Sequence, residues 1–326
     1  MRAGTSVLVT GGTGSFGRAF VAAVLAQPWL RRLVVFSRDE CKQHEMATAL
    51  SDPRLRFFLG DVRDPARLAR AMDGVDFVVH AAAMKQIPAC EANPFEAVQT
   101  NVLGARHVID AAIGCGVERV VALSTDKAVN PVNLYGATKL CAEKLFVQAN
   151  GYASHGRTRF AVVRYGNVVG SRGSVVPVFL AQRARGRLTL TDAAMTRFWI
   201  TLEQGTDFVL RCAEWMRGGE IFVPKIPSMR VLDVALALVP EAVIETVGIR
   251  PAEKLHESLL SEEESCHAVE YPDHFVIEPV GAQWNYLPRT DGKAPPPRFV
   301  YTSNQNDRWL TKDDLVTMID AMAVAR

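Results

Sequence analysis

Four side chains in this sequence have the types and spacing for acid–base chemistry: Asp126, Lys127, Tyr135 and Lys139. They stand in the run Leu123-Ser-Thr-Asp-Lys-Ala-Val-Asn-Pro-Val-Asn-Leu-Tyr135-Gly-Ala-Thr-Lys139. On a helix over 134–150, Tyr135 and Lys139 sit at i and i+4 and share one face. An ammonium beside a phenol stabilises the phenolate, which makes the tyrosine a usable base near neutral pH. Such a base takes the proton of an alcohol or sugar hydroxyl while a hydride leaves the same carbon. The spacing alone is weak evidence, because an amphipathic helix with an exposed lysine produces it as readily. Asp126-Lys127 has a similarly plain alternative, an exposed turn pair, and its place at a strand end argues against that.

The elements that must hold these residues are also readable. Arg119-Val-Val-Ala-Leu123 is an apolar run that reads as a buried parallel strand. Ser6-Val-Leu-Val-Thr-Gly-Gly-Thr-Gly-Ser-Phe-Gly17 reads as a strand, a glycine turn and the start of a helix over 14–26. Gly11 permits the tight turn, Gly14 lets the backbone approach a pyrophosphate, and Gly17 lets the helix pack closely on the strand. The helix aims its free N–H groups and positive dipole end at that phosphate. Thr13, Ser15 and Phe16 therefore join the glycines as candidate cofactor contacts.

A second strand, Arg32-Leu-Val-Val-Phe-Ser37, ends where an adenosine ribose should lie. An acid at that tip would select NAD. Here the tip is Ser37-Arg38, with Lys42 one helical turn beyond. A hydroxyl and two cations suit a 2′-phosphate, so the expected cofactor is NADP. Asp39 and Glu40 share this tip and are candidate cofactor contacts with Ser37, Arg38 and Lys42; the alternative is that Arg38 pairs locally with Asp39 or Glu40. Phe57-Phe-Leu-Gly-Asp-Val-Arg63 reads as a third strand, with Asp61 and Val62 placed to hold adenine. Asp76-Phe-Val-Val-His-Ala-Ala-Ala83 is a fourth, ending in small residues such as Ala81 that let a cofactor lie flat.

Strands and helices alternate up to about residue 170, as a doubly wound parallel sheet requires. The fold expected is α/β: a Rossmann-type doubly wound parallel sheet over 1–170, with about 201–225 returning to it. A smaller C-terminal α/β substrate lobe follows over 171–326, with a short helix over 231–238. A chain of 326 residues suits two such lobes, and a ligand should lie between them at the carboxyl ends of the strands. A formal net charge of +2 leaves no electrostatic footprint for nucleic acid or an anionic membrane. The six cysteines are scattered without metal-ligand spacing, so no metal is expected and a reducing cytoplasm is. No apolar run reaches the ~18 residues that span a bilayer, and the first strand begins too close to Met1 for a signal peptide.

These runs together resemble the extended short-chain dehydrogenase/reductases. More narrowly, the chain resembles the inverting UDP-N-acetylglucosamine 4,6-dehydratases that open pseudaminic acid biosynthesis. The motifs that carry the resemblance are Gly-Gly-Thr-Gly-Ser-Phe-Gly17, Phe-Ser-Arg-Asp-Glu40, His-Ala-Ala-Ala-Met-Lys85, Ser-Thr-Asp-Lys127 and Asn-Leu-Tyr-Gly-Ala-Thr-Lys139. Arg-Tyr-Gly-Asn-Val-Val-Gly-Ser-Arg-Gly-Ser174, Met-Thr-Arg-Phe-Trp-Ile200, Phe-Val-Pro-Lys225 and Gly-Ile-Arg-Pro-Ala-Glu-Lys254 complete them, covering about residues 4–260. One departure is Ala252, where the pattern has glycine. The retaining dehydratases carry Thr-Asp-Glu where this chain has Thr125-Asp126-Lys127, and many 4-epimerases carry small or hydroxyl residues there.

The resemblance implies a mechanism. Tyr135, aided by Lys139, takes the C4 hydroxyl proton; Lys127 removes the C5 proton; Asp126 protonates the C6 hydroxyl, which leaves as water. NADP+ would be regenerated in each turnover and held tightly. The product would be UDP-2-acetamido-2,6-dideoxy-β-L-arabino-hexos-4-ulose. Side by side, Asp126 and Lys127 favour the ion pair, whereas catalysis needs both neutral. Burial and the neighbouring Lys139 are expected to push Lys127 down toward the amine. Val168 is a further candidate cofactor contact. The candidate substrate contacts are Ala81, Lys85, Leu123, Ser124, Thr125, Asn167, the loop Arg172, Gly173, Ser174 and Val175, and Arg250 and Glu253. Arg197-Phe-Trp199 reads as lobe packing. The expected partner is UDP-N-acetylglucosamine, and relatives suggest a homo-oligomer, dimer or hexamer. Two other readings stay open: a 4-epimerase or retaining dehydratase on the same scaffold, and a non-catalytic NADP-binding sensor.

Overall fold

The computed structural model describes residues 1–153, 157–171 and 174–324. Its strands in chain order begin with β1 (Thr5–Thr10), β2 (Leu30–Ser37), β3 (Leu55–Leu59), β4 (Phe77–His80), β5 (Arg119–Thr125) and β6 (Arg159–Tyr165). They continue with β7 (Asn167–Val168), β8 (Arg187–Leu190), β9 (Thr196–Ile200), β10 (Ile221–Pro224) and β11 (Ser228–Arg230). The last are β12 (Val243–Thr246), β13 (Ser258–Leu260), β14 (Ala268–Glu270), β15 (His274–Ile277) and β16 (Tyr301–Thr302).

One large sheet runs in the order β14-β15-β10-β6-β5-β4-β1-β2-β3. From β10 to β3 every pairing is parallel. The inner strands are apolar on both faces, and every residue of β1 and β4 is buried. Helices cover both faces: Ser15–Leu25 packs against Leu202–Trp215, while Pro65–Met72, Gly104–Gly114 and Leu134–Tyr152 pack in succession. The chain moves outward from β1 to β2 and β3, then crosses back to β4 on the other side of β1. That reversal opens a crevice at the carboxyl ends of β1 and β4, where ligands bind in open α/β sheets. This is the Rossmann-type architecture expected from the alternation of elements.

The far edge differs from the reading of the sequence. Besides β10, the sheet takes in β15 and β14, which join antiparallel from a stretch read as substrate lobe. A second apolar cluster, including Val169, Phe179, Leu188, Trp199, Val234 and Leu315, forms the smaller core around the sheets β11-β9-β7 and β12-β8. Strand β9 joins the two cores, since Phe198 is buried in the larger and its neighbour Trp199 in the smaller.

Helix Leu134–Tyr152 begins on a side-chain cap: Asn133 Oδ1 accepts from the Gly136 N–H at 2.8 Å. The same Asn133 donates through Nδ2 to the Ala252 carbonyl at 3.0 Å, tying the helix start to the smaller lobe. Ala252 has φ +66°, a left-handed conformation that costs a residue with a Cβ about 1 kcal/mol. That explains why the family pattern has glycine there.

Candidate active site

The crevice at the switch point is a cleft of about 930 Å³. Its first half is built from backbone. Gly11, Thr13 and Gly14 line it ahead of helix Ser15–Leu25, and Ser15, Phe16 and Gly17 line it from that helix's first turn. A Cβ on Gly11 would stand 2.9 Å from the Ala82 backbone, so the turn and the end of β4 can close only on glycine. Gly17 packs against the Gly12 backbone of the turn rather than on the strand. Thr10 fixes the opposite wall: its Oγ1 is hydrogen-bonded to His80 Nδ1 at 2.8 Å and accepts from the N–H groups of Ala81 (3.1 Å) and Ala82 (3.2 Å). Burial pulls His80 down to about 3, so it is neutral.

At the β2 tip, Ser37, Arg38, Asp39 and Lys42 line the cleft. Arg38 pairs with Asp61 at 3.5 Å, and Lys42 pairs with Asp39. The Ser37 hydroxyl accepts from Gln43 Nε2 at 3.0 Å. Asp61 lies past the end of β3 and also takes a bidentate contact from Arg63; burial works against its charge, but the Arg63 bonds and Arg38 lower its pKa. Val62 and Ala81 line the cleft; Glu40 and Asp61 are not part of its wall.

The second half is dense in charge. Strand β5 ends at Thr125, and a single 3₁₀ turn, Asp126–Ala128, follows. Asp126 is 0% exposed. Its Oδ1 accepts from Thr125 Oγ1 at 2.9 Å and from Lys127 Nζ at 3.0 Å, while Oδ2 is buried with no hydrogen-bond partner. Tyr135 faces this turn from helix Leu134–Tyr152. A Cβ on Gly136 would overlap the Lys127 carbonyl, so glycine sets how closely helix and turn approach.

Lys127 departs from the expectation that it is pushed toward the amine. Burial works against its charge, but Asp126 and then Glu257 outweigh that, and its pKa rises. Asp126 is the larger contributor, and a second carboxylate adds to it: Glu257 Oε1 lies 3.4 Å from Lys127 Nζ. Nor does Lys139 act on Tyr135 as expected. Lys139 Nζ donates to the Leu123 carbonyl at 2.6 Å, and burial pulls its pKa to about 8 with Glu143 opposing. The Tyr135 phenol is raised by desolvation to about 12, and the cation that most opposes this is Lys127.

Lys85, Leu123, Ser124, Thr125, Asn167, Val168 and Ser174 line the remaining wall. Ser124 Oγ and Ser174 Oγ are buried without hydrogen-bond partners, as is Thr100 Oγ1. Val175 opens helix Val175–Gln182 just behind Ser174 and is not part of the wall. Arg172 and Gly173 lie outside the described residues. Arg250 is exposed away from the cleft. Glu253 points to Arg197, with Oε1 3.7 Å from Nη2.

Sequence reasoning missed three contributors. Glu257 and Arg197 meet at 3.9 Å beneath Lys127, so Arg197 is more than lobe packing. Asn101 bonds both backbone groups of Met84 and the Thr138 hydroxyl, which ties the Lys85 loop to the Tyr135 helix. It sits in a π-helical turn, Gln99–Leu103, a local widening that often marks functional sites. Among the described residues no group of His, Cys, Asp or Glu is set to hold a metal ion, and no helix is long and apolar enough to cross a membrane.

The comparisons with known proteins agree with this geometry. Residues 7–279 match the family model described as polysaccharide biosynthesis protein. The chain is 47% identical, over 97% of each sequence, to the inverting UDP-N-acetylglucosamine 4,6-dehydratase of Campylobacter jejuni. It is also 44% identical, over 86% of this chain and 85% of the relative, to a protein of Rickettsia akari named UDP-glucose 4-epimerase. Among solved structures, Pen from Bacillus thuringiensis superposes with a TM-score of 0.88 at 38% identity over 99% of both chains. The dTDP-glucose 4,6-dehydratase DesIV of Streptomyces venezuelae, solved with NAD bound, gives 0.69 at 26% identity over 77% of this chain and 87% of that one. A nicotinamide cofactor is consistent with that neighbour and with the glycine-lined half of the cleft. The chain belongs to the polysaccharide biosynthesis protein family, which it shares with the inverting UDP-N-acetylglucosamine 4,6-dehydratases.

Proposed function

We propose that this protein is a UDP-N-acetylglucosamine 4,6-dehydratase that inverts C5, making the 6-deoxy-4-keto product that opens pseudaminic acid biosynthesis. The observation that carries the reading is the Asp126–Lys127 pair, 3.0 Å apart, with Asp126 fully buried and Lys127 partly exposed, facing Tyr135 at the end of β5. A 4-epimerase, the name given to the Rickettsia relative, needs a base at the C4 hydroxyl and has no use for an acid and an amine beside it. Water loss across C5 and C6 needs both.

The backbone of Gly11, Thr13, Gly14 and Ser15 would hold the pyrophosphate of a nicotinamide coenzyme, with Ser37, Arg38 and Lys42 at its ribose. When bound, that coenzyme supplies a reversible hydride acceptor. NADP is our reading because two cations line the ribose end, although both already have acidic partners. Tyr135 accepts the C4 hydroxyl proton. The C4 ketone acidifies C5, the Lys127 amine removes that proton, and neutral Asp126 delivers its own to the departing C6 hydroxyl. Lys139, held on the Leu123 carbonyl and lining the cleft, is placed to orient the coenzyme ribose. Ser124 and Ser174, which line the cleft, are our candidates for contacts to the sugar and diphosphate. The lobe boundary near residue 171 fits a substrate seated between the two cores.

Incubation with UDP-N-acetylglucosamine in deuterated water, followed by proton NMR, tests this. The expected product is a 6-deoxy-4-keto sugar with C5 inverted and deuterated. A C4-inverted sugar that keeps its C6 hydroxyl would identify an epimerase, and no turnover would leave a sensor.

A further inference from the structure

We propose that Glu257 is a positioning residue of the acid–base centre: protonated, it lets Lys127 pass its proton to Asp126; ionised, it pins the ammonium in place. The inference deepens the dehydratase reading and rests on it. Glu257 precedes β13 in the C-terminal segment of the chain and is 2% exposed. Its Oε1 stands 3.4 Å from Lys127 Nζ, while Asp126 Oδ1 stands 3.0 Å from the same atom, so the ammonium lies between two carboxylates. Its Oε2 is buried with no hydrogen-bond partner.

The packing does not require a charge here. The backbone is held independently: the Glu257 N–H donates to Ser303 Oγ at 3.0 Å, and its carbonyl accepts from the Ser303 N–H at 2.8 Å. The groups that face the carboxylate are Lys127 and Asp126 from the turn after β5, Arg197 from β9 at 3.9 Å, and Lys254 on its own segment at 3.9 Å. Lys85 and Tyr135 face Lys127 from the other side. Burial raises the Glu257 carboxyl, with Lys127 the chief opponent.

The chemistry is a proton inventory. With Glu257 ionised, Lys127 balances two carboxylates, and passing its proton to Asp126 leaves the buried Glu257 carboxylate without the ammonium that faced it. With Glu257 protonated, one transfer suffices: the Nζ–H bond of Lys127 breaks as an Oδ–H bond forms on Asp126. The result is a neutral acid and a neutral amine, the pair that elimination across C5 and C6 requires. No electrons change hands, and the extra proton on Glu257 comes from water. As pH rises through the raised Glu257 value, the residue ionises and the rate should fall.

The test compares kcat against pH for wild type, Glu257→Gln and Glu257→Asp, with melting temperature as a fold control. The amide mimics the protonated acid, so Glu257→Gln should lose the high-pH decline and exceed wild type there by about tenfold, the factor set by one unit in the Lys127 pKa. Glu257→Asp should keep the decline. Superimposable profiles for Glu257→Gln and wild type, or a Glu257→Gln enzyme that is folded but inactive at every pH, would overturn the proposal. Competitive acetylation of Lys127, read by mass spectrometry across pH, reports the coupling whether or not sugar is dehydrated. Its pKa should fall in Glu257→Gln, and an unchanged value overturns the proposal independently of the reaction assigned.

Discussion

Two buried charge clusters in this molecule use the same side-chain types and do opposite things. Behind β6, Arg164 is fully buried and every N–H it owns is used. Nε and Nη2 reach Glu143 at 3.0 and 2.6 Å, Nη1 and Nη2 reach Glu264 at 2.9 Å each, and Nη1 also donates to the Leu259 carbonyl at 3.0 Å. Around Lys127 the carboxylates are just as buried, yet Asp126 Oδ2 and Glu257 Oε2 have no hydrogen-bond partner, and Arg197 and Lys254 stop 3.9 Å short of Glu257. A saturated cluster has one arrangement of protons and acts as a staple between β6, the Tyr135 helix and the C-terminal segment. An unsaturated one has several arrangements close in energy, and a site that must move protons needs that.

The contrast can be tested from both sides. The largest effect should come from Lys127→Ala, expected to lower kcat by about a thousandfold, within the range for losing a general base. Deuterium exchange at C5 should vanish while oxidation at C4, read as a single-turnover absorbance change, survives. Loss of both steps together would put Lys127 in the same class as Arg164. Next, Arg164→Ala strands two carboxylates and should cost about 3–5 kcal/mol in urea unfolding. A cost below about 1 kcal/mol would remove the staple.

Lys139 lies one helical turn from Glu143 and belongs to neither cluster, so it sharpens the comparison through pH. Its folded value is about 8 against 10.5 for a free lysine, so at pH 7 both states carry the proton and the burial penalty, roughly 3 kcal/mol, is fully present. The bond to Leu123 returns about 1.5 kcal/mol of this. Lys139→Met should therefore be inactive yet about 1–2 kcal/mol more stable at pH 7. Between pH 8 and 10.5 the unfolded state binds more protons, so wild-type stability rises and that advantage should shrink. An advantage that stays constant with pH would mean that charge burial is not its source. The smallest effect, about 1 kcal/mol or less of added stability, is expected of Ala252→Gly, which relieves the left-handed backbone beside the Asn133 cap. Thermal melts would detect it.

What the sequence made legible follows the same division. The glycine turn, the apolar strands and the Tyr135–Lys139 spacing are local signals, readable because each depends on neighbours a few residues away. The alternation of elements up to residue 170 likewise points to a doubly wound parallel sheet. Glu257 was invisible because its meaning comes from a residue far earlier in the chain, brought near only by packing of the smaller lobe. Nothing local marks Arg164 as a guanidinium that will be closed in by Glu143 and Glu264. Strands β14 and β15 were missed for a related reason: short, mixed runs near Pro272 carry little period-two signal. The direction of the Lys127 shift failed because Asp126, with the unforeseen Glu257 adding to it, outweighs burial.

Synthesis from the amino terminus gives this arrangement a temporal order. The ribosome delivers the glycine turn, the β5 turn and the Tyr135 helix well before the segment that bears Glu257, at about 5–20 residues per second. A nascent chain thus has its nucleotide cradle seconds ahead of its complete proton circuit. Cutting the protein after β10 would likewise divide these two capabilities.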